Sequence, residues 1–115
     1  MAIIKLPKTE WQAFFDRASR ILIGKNTEIE IIHPALGNQI EADWLPLLGM
    51  TYDLTSDTIE IALQGLYHVV TKPLALHVDE TPASIITLQI IDADGVQEII
   101  LVRDPPMLPP PAPLY

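Results

Sequence analysis

Residues 11–31, WQAFFDRASRILIGKNTEIEI, change their apolar period at Gly24, and that change sets the fold class. Before it, Trp11, Phe14, Phe15, Ala18, Ile21 and Leu22 recur three and four residues apart and form one apolar stripe at the helical period. Asp16, Arg17, Ser19 and Arg20 occupy the opposite face. Thr9 and Gln12 stand at capping-box spacing, so a helix is expected over 9–23 with Thr9 as its N-cap and Gly24 as its stop. After Gly24 the segment Thr27-Glu28-Ile29-Glu30-Ile31 alternates with period two, which predicts a strand with Ile29 and Ile31 inward.

The alternation continues along the chain. His33 to Asn38 contains Pro34 and Gly37 and reads as a turn. Residues 39–44 alternate again, with Ile40, Ala42 and Trp44 on one face. Pro46 has no N–H to give a ladder, so a break is expected at 45–49. Residues 50–52 and 58–63 form a candidate hairpin across Asp53–Asp57. Residues 66–71 read as a strand or a single helical turn, ended by Pro73, and 74–79 alternate once more. The last hairpin joins 85–91 to 96–102 across Asp92-Ala93-Asp94-Gly95, where a glycine after aspartate suits a tight turn. Its strands are apolar on both faces, as strands covered on both sides are.

The expected architecture is therefore α+β: an N-terminal amphipathic helix packed on a largely antiparallel sheet of about six to seven short strands. It would occupy residues 1–103 as a single domain, with a Pro-rich tail over 104–115 that holds six of the eleven prolines. One helix covers only part of one sheet face. The second face needs cover, from a curled sheet in a barrel-like monomer or from another subunit; the two-sided apolarity of the last hairpin and the 49% hydrophobic content together suggest a homodimer.

Composition removes several functions. With no cysteine, disulfides, thiolate catalysis and Cys-ligated metals are excluded. Fifteen acidic against seven basic residues give a net charge of −8, which disfavours nucleic acid and anionic membranes as partners. No apolar run approaches the ~20 residues that span a bilayer. A cytoplasmic location is expected, and no cofactor is.

An ordered set of short motifs runs through the chain. It comprises Leu6-Pro7, Trp11-x-x-Phe14-Phe15-Asp16-Arg17, the run Asp43 to Asp53, Ile59 to Leu63, His68 with Pro73, and Leu88-x-Ile90-x-Asp92-Ala93-Asp94-Gly95. Together they resemble an uncharacterised bacterial family of single-domain proteins of about this length, over roughly residues 4–103. The order and spacing carry this resemblance. It implies boundaries for the fold and brings no activity, cofactor or residue role.

Candidate chemistry is sparse. His68 and His77 flank Lys72-Pro73; were 66–71 to pair with 74–79 as a tight hairpin, the two rings would stand ~5 Å apart at Cβ. With Asp79 on the same face, His68, His77 and Asp79 form a candidate metal set, against the plainer reading of two exposed histidines. His33 with Glu41 and Asp43 offers a weaker acid–base arrangement, and no nucleophile is spaced to complete it. Asp92–Gly95 lacks the later ligands of a calcium loop and reads as a turn. No phosphate-cradling or HExxH motif occurs. Trp44, Leu45 and Leu47 make an apolar segment that could be an interaction surface or could plug the end of the sheet. Pro106-Met107-Leu108-Pro109 has the spacing of a groove-docking polyproline ligand. The leading expectation is a non-enzymatic interaction or structural module that self-associates, with a further protein partner as an option. The alternative is a small-molecule or metal-binding domain, with an enzymatic role as an option, on the sheet face around His68 and His77.

Overall fold

A computed structural model of the chain describes residues 2–80 and 85–105. The Pro-rich segment from 106 onward, with its docking motif, lies outside the described residues. Strand β1 (Ala2–Lys5) comes first; a 3-10 turn at Lys8–Glu10 then leads into helix α1 (Trp11–Leu22). Seven strands follow: β2 (Asn26–His33), β3 (Gly37–Asp53), β4 (Thr58–Leu63), β5 (Leu66–Thr71), β6 (Pro73–Glu80), β7 (Ile85–Asp92) and β8 (Gln97–Arg103). All pair antiparallel in the order β1-β6-β7-β8-β2-β3-β4-β5. The fold is mostly antiparallel sheet with one helix. Among the described residues the sheet has eight strands rather than six or seven, because β1 precedes the helix.

Helix α1 starts at Trp11 with Glu10 as its N-cap, one residue later than the capping pattern suggests. Thr9 lies inside the 3-10 turn, and no side chain caps the helix. Trp11, Phe14, Phe15, Ala18 and Leu22 are buried as their spacing requires, and Trp11 meets Tyr52 edge-to-face with ring centroids 5.2 Å apart. Ile21, expected on the stripe, is exposed. Ser19, expected on the polar face, is half-buried and accepts the Met50 N–H at 2.8 Å.

That bond reveals how β3 works. This strand runs unbroken for 17 residues through Pro46, where a break was expected. Its first half pairs with β2 and its second with β4, so it belongs to two parts of a bent sheet. The change of partner is made by bulges. Trp44 takes φ 56°, in the left-handed region, and the register with β2 slips between Thr27 and Ile29. Another slip between Ile29 and Glu30 reverses the alternation at Glu41, which turns Ile40 to solvent while Ala42 stays buried. Where β2 has left, the helix seals the vacated edge. Ser19 Oγ takes Met50 N–H, Gly24 N–H donates to Leu47 C=O, and Leu47 N–H donates to Lys25 C=O. The helix approaches closely here: a Cβ on Gly49 would stand 3.2 Å from Ser19 Oγ.

The core lies in the bend, built from one face of every strand from β2 to β8 and from the helix stripe. In the last hairpin Leu88, Ile90, Ile100 and Val102 are fully buried, whereas Thr87, Gln89, Ile99 and Leu101 on the other face are half-buried. No described element covers that outer face, although its apolarity suggested cover on both sides. Asp92 Oδ1 accepts from the N–H groups of Asp94 and Val96, and Gly95 sits at φ 78°, so this segment is the tight turn its composition implies.

Candidate functional site

The inward faces of β5 and β8 carry one polar residue each among apolar neighbours. His68 is in phase with Val70, and Glu98 with Ile100 and Val102. The bend in the sheet brings the two strands face to face. His68 Nε2 then lies 3.0 Å from both Glu98 carboxylate oxygens, and the two side chains are 10% and 7% exposed. Burial alone would discourage a charge on the ring. The hydrogen bonds from Nε2 and the Glu98 charge, with a smaller contribution from Glu41, outweigh it and hold the His68 pKa above its ordinary value. A buried imidazole clamped on a carboxylate ties strand to strand across a core. Both side chains are withdrawn from solvent, so the tie lies inside the core.

Strands β5 and β6 do not pair: β5 joins β4, and β6 lies between β1 and β7. The juxtaposition of His68 with His77 therefore does not form. His77 and Asp79 sit on the opposite face of β6 from the buried Leu76 and Val78, across from Gln89 and Thr87 of β7. Their Nδ1 and Oδ1 atoms are occluded and have no hydrogen-bond partner. Among the described residues no group of three or more His, Asp or Glu side chains could hold a metal ion.

The other candidates have structural work. His33 Nδ1 accepts from the N–H groups of Ala35 and Leu36 and so closes the β2–β3 turn rather than facing Glu41 or Asp43 as a base. Leu47 is fully buried, Leu45 packs against the core, and Trp44 lies under the Arg103 guanidinium at 3.6 Å from the ring centroid. Leu47 and Leu45 thus help to fill the bend, with Trp44 half-buried beside them. A cavity of about 260 Å³ beside the helix is lined by Leu6, Thr9, Glu10, Ala13, Phe14 and Arg17, none of them a candidate site residue.

The sheet also has an open edge. In the β4–β5 hairpin, closed by Gln64 and by Gly65 at φ 85°, the register runs from Leu63↔Leu66 to Thr58↔Thr71. It continues into a bond from Lys72 N–H to Asp57 C=O at 3.1 Å. Antiparallel pairs alternate between bonded and non-bonded, so Leu66, His68 and Val70 turn their backbone groups toward β4. Tyr67, Val69 and Thr71 turn theirs away, and among the described residues nothing bonds them. Their side chains lie on the outer face, with Tyr67 62% and Val69 39% exposed. Tyr67 Oη donates to Glu60 at 2.6 Å, which lies the ring along the sheet and raises its pKa.

Glu98 was missed by sequence reasoning, which took β8 as apolar on both faces. The signal was its phase: Glu98 shares the inward parity of Ile100 and Val102, as His68 shares that of Val70, and the two are of opposite charge.

Comparison with known proteins gives no activity. An uncharacterized protein of Aquifex aeolicus (strain VF5) is 30% identical over 112 residues, covering 96% of this chain and 99% of the relative. No solved structure matches the chain. The family of unknown function DUF5335 matches residues 2–111, reaching past residue 103 into the Pro-rich segment. Matched over nearly its whole length, the chain belongs to the DUF5335 family.

Proposed function

We propose that this chain is a non-enzymatic interaction module whose working surface is the edge of β5. The observation that carries this reading is the row of unbonded outward groups on Tyr67, Val69 and Thr71. They belong to a strand that His68 and Glu98 fasten to the core. Such an edge accepts an extended segment by main-chain hydrogen bonding, and the exposed Tyr67 and Val69 side chains supply apolar contacts beside it. Peptides selected from an extended-peptide library for binding the chain are expected to shift the amide resonances of Tyr67, Val69 and Thr71. Val69→Pro, which removes an N–H the isolated fold does not use, is expected to abolish their binding. Binders that shift other residues and ignore the substitution would overturn the reading.

A second reading rests on the occluded, unbonded Nδ1 of His77 and Oδ1 of Asp79. They favour a small polar ligand or a metal ion on the outer sheet face. Zinc titration is then expected to shift the His77 imidazole resonances, an effect lost in Asp79→Asn. Unmoved resonances at a millimolar metal concentration would remove it.

A further inference from the structure

We infer that the segment added to β5 is β5 of a second copy of this chain, paired antiparallel about a two-fold axis at Val69; this rests on the strand-addition reading above. A chain of net charge −8 meets its own copy against repulsion and needs an uncharged strip to do so. Leu66–Thr71 is such a strip: it contains no Asp, Glu, Lys or Arg, and its one titratable side chain besides Tyr67 is His68, turned inward onto Glu98.

The register follows from parity. Two-fold pairing must keep side chains on their own faces, so the axis passes through a residue of β5. Centred on Val69, it sets Val69 against Val69 and Tyr67 against Thr71, and every outward N–H and C=O of those residues finds a partner. Centred on His68, it would set two histidines of raised pKa against each other and leave Thr71 facing the hairpin turn at Gly65. The Val69 axis is the better of the two. It adds an aliphatic pair at the centre and an aromatic–β-branched pair on each side, and it joins two bent sheets into one continuous ladder.

The opposite edge does not offer this. Strand β1 has four residues, and Leu6 N–H donates to Leu76 C=O. By the same alternation Ile3 and Lys5 carry its outward groups, with Pro7 close behind. A lysine and a proline at an edge are devices that discourage strand addition.

The test uses the full chain and exploits its lack of cysteine. Mass by sedimentation equilibrium is expected to rise from one chain toward two with increasing concentration. Val69→Lys, which sets two ammonium groups opposite each other, is expected to raise the dissociation constant about tenfold or more, and Val69→Pro to leave a folded monomer. Under mild oxidation Val69→Cys is expected to cross-link into a covalent dimer, since bonded antiparallel partners lie about 5.5 Å apart at Cα, within disulfide range. Ile3→Cys, on the other edge, should stay largely monomeric. A dimer that tolerates both substitutions would overturn the inference by placing the contact elsewhere. So would a strict monomer whose two cysteine variants cross-link at the same slow rate. A strict monomer that still takes extended peptides at β5 would overturn self-pairing alone; one that takes none would overturn the strand-addition reading as well.

Discussion

Strands β1 and β5 end the same sheet, and they end it in different ways. β1 is short, leaves Ile3 and Ile4 70% and 57% exposed, and is followed by Leu6 and Pro7. β5 turns Val70 and His68 into the core, and the carboxylate of β8 holds it from the far side of the bend. A third edge, the second half of β3, is covered by α1 through Ser19. One edge is guarded, one is sealed, and one is fastened from within yet open outward. An edge that is rigid and open is suited to receive a strand, because little order remains to be gained on binding.

Removal of the internal fastening should cost the fold most. Glu98→Ala leaves His68 buried without its partner, and loss of one member of such a pair is expected to destabilise the chain by about 3–5 kcal/mol. Ile4→Ala, in a side chain already more than half exposed, should cost less than about 1 kcal/mol. Urea midpoints measure both; equal losses would mean that β5 is not held as described. The double change His68→Leu with Glu98→Leu is expected to recover most of the stability, since an apolar pair of similar volume tolerates burial.

Next in size is the sealed edge. Ser19→Ala strips the acceptor from Met50 N–H, and an orphaned donor costs about 1–3 kcal/mol. The change should also speed amide exchange at Met50. If exchange there is unaltered, the helix does not seal β3.

The pH dependence is gentler. The folded-state pKa of His68 is raised, so the stabilisation from its charge is complete below the unfolded value near 6.5 and is lost as pH climbs through the higher folded value. Midpoints of the native chain are expected to fall as pH rises from about 6.5, and those of the double leucine variant to stay flatter over the same range. Parallel curves would show that the pair holds no charge.

The smallest effect belongs to the turn beside β5. Lys8 Nζ reaches Asp57 at 3.0 Å, and Asp57 also accepts from Tyr52 Oη at 2.6 Å. The bonds from Tyr52 and Lys8 lower the Asp57 pKa; burial, more than the Asp57 bond, lifts that of Tyr52 to about 12. Because the Lys8 and Asp57 side chains are 44% and 39% exposed and so screened by solvent, Asp57→Asn should cost no more than about 1 kcal/mol, less still in high salt. A larger loss would mean that this turn, and not the core pair, positions β5.

The helix stripe and the two-residue alternation made the α+β class readable, and Asp92–Gly95 made the last turn readable, because these are local signals. Bulges defeated the reading of β3. One extra residue at Glu41 reverses the face of Ile40, and nothing in the alternation of 39–44 marks it. Pro46 suggested a break, yet the strand changes partners there and its carbonyl still accepts from Gln64 N–H. His68 and His77 stay apart for a topological reason. Lys72 takes φ 51° and sends the chain from β5 across to β6 without a hairpin, so neighbours in sequence end in different parts of the sheet. His68 stands out in the sequence, but its partner is 30 residues away, where only parity points to it.

Amide hydrogen exchange reads the outward backbone of β5 directly. Exchange should be followed at low and high chain concentration under native conditions. Protection at Tyr67, Val69 and Thr71 is expected to increase with concentration while that at Ile3 and Lys5 stays constant. Exchange at the β5 amides that is equally fast at every concentration would contradict the pairing of β5 with a second copy.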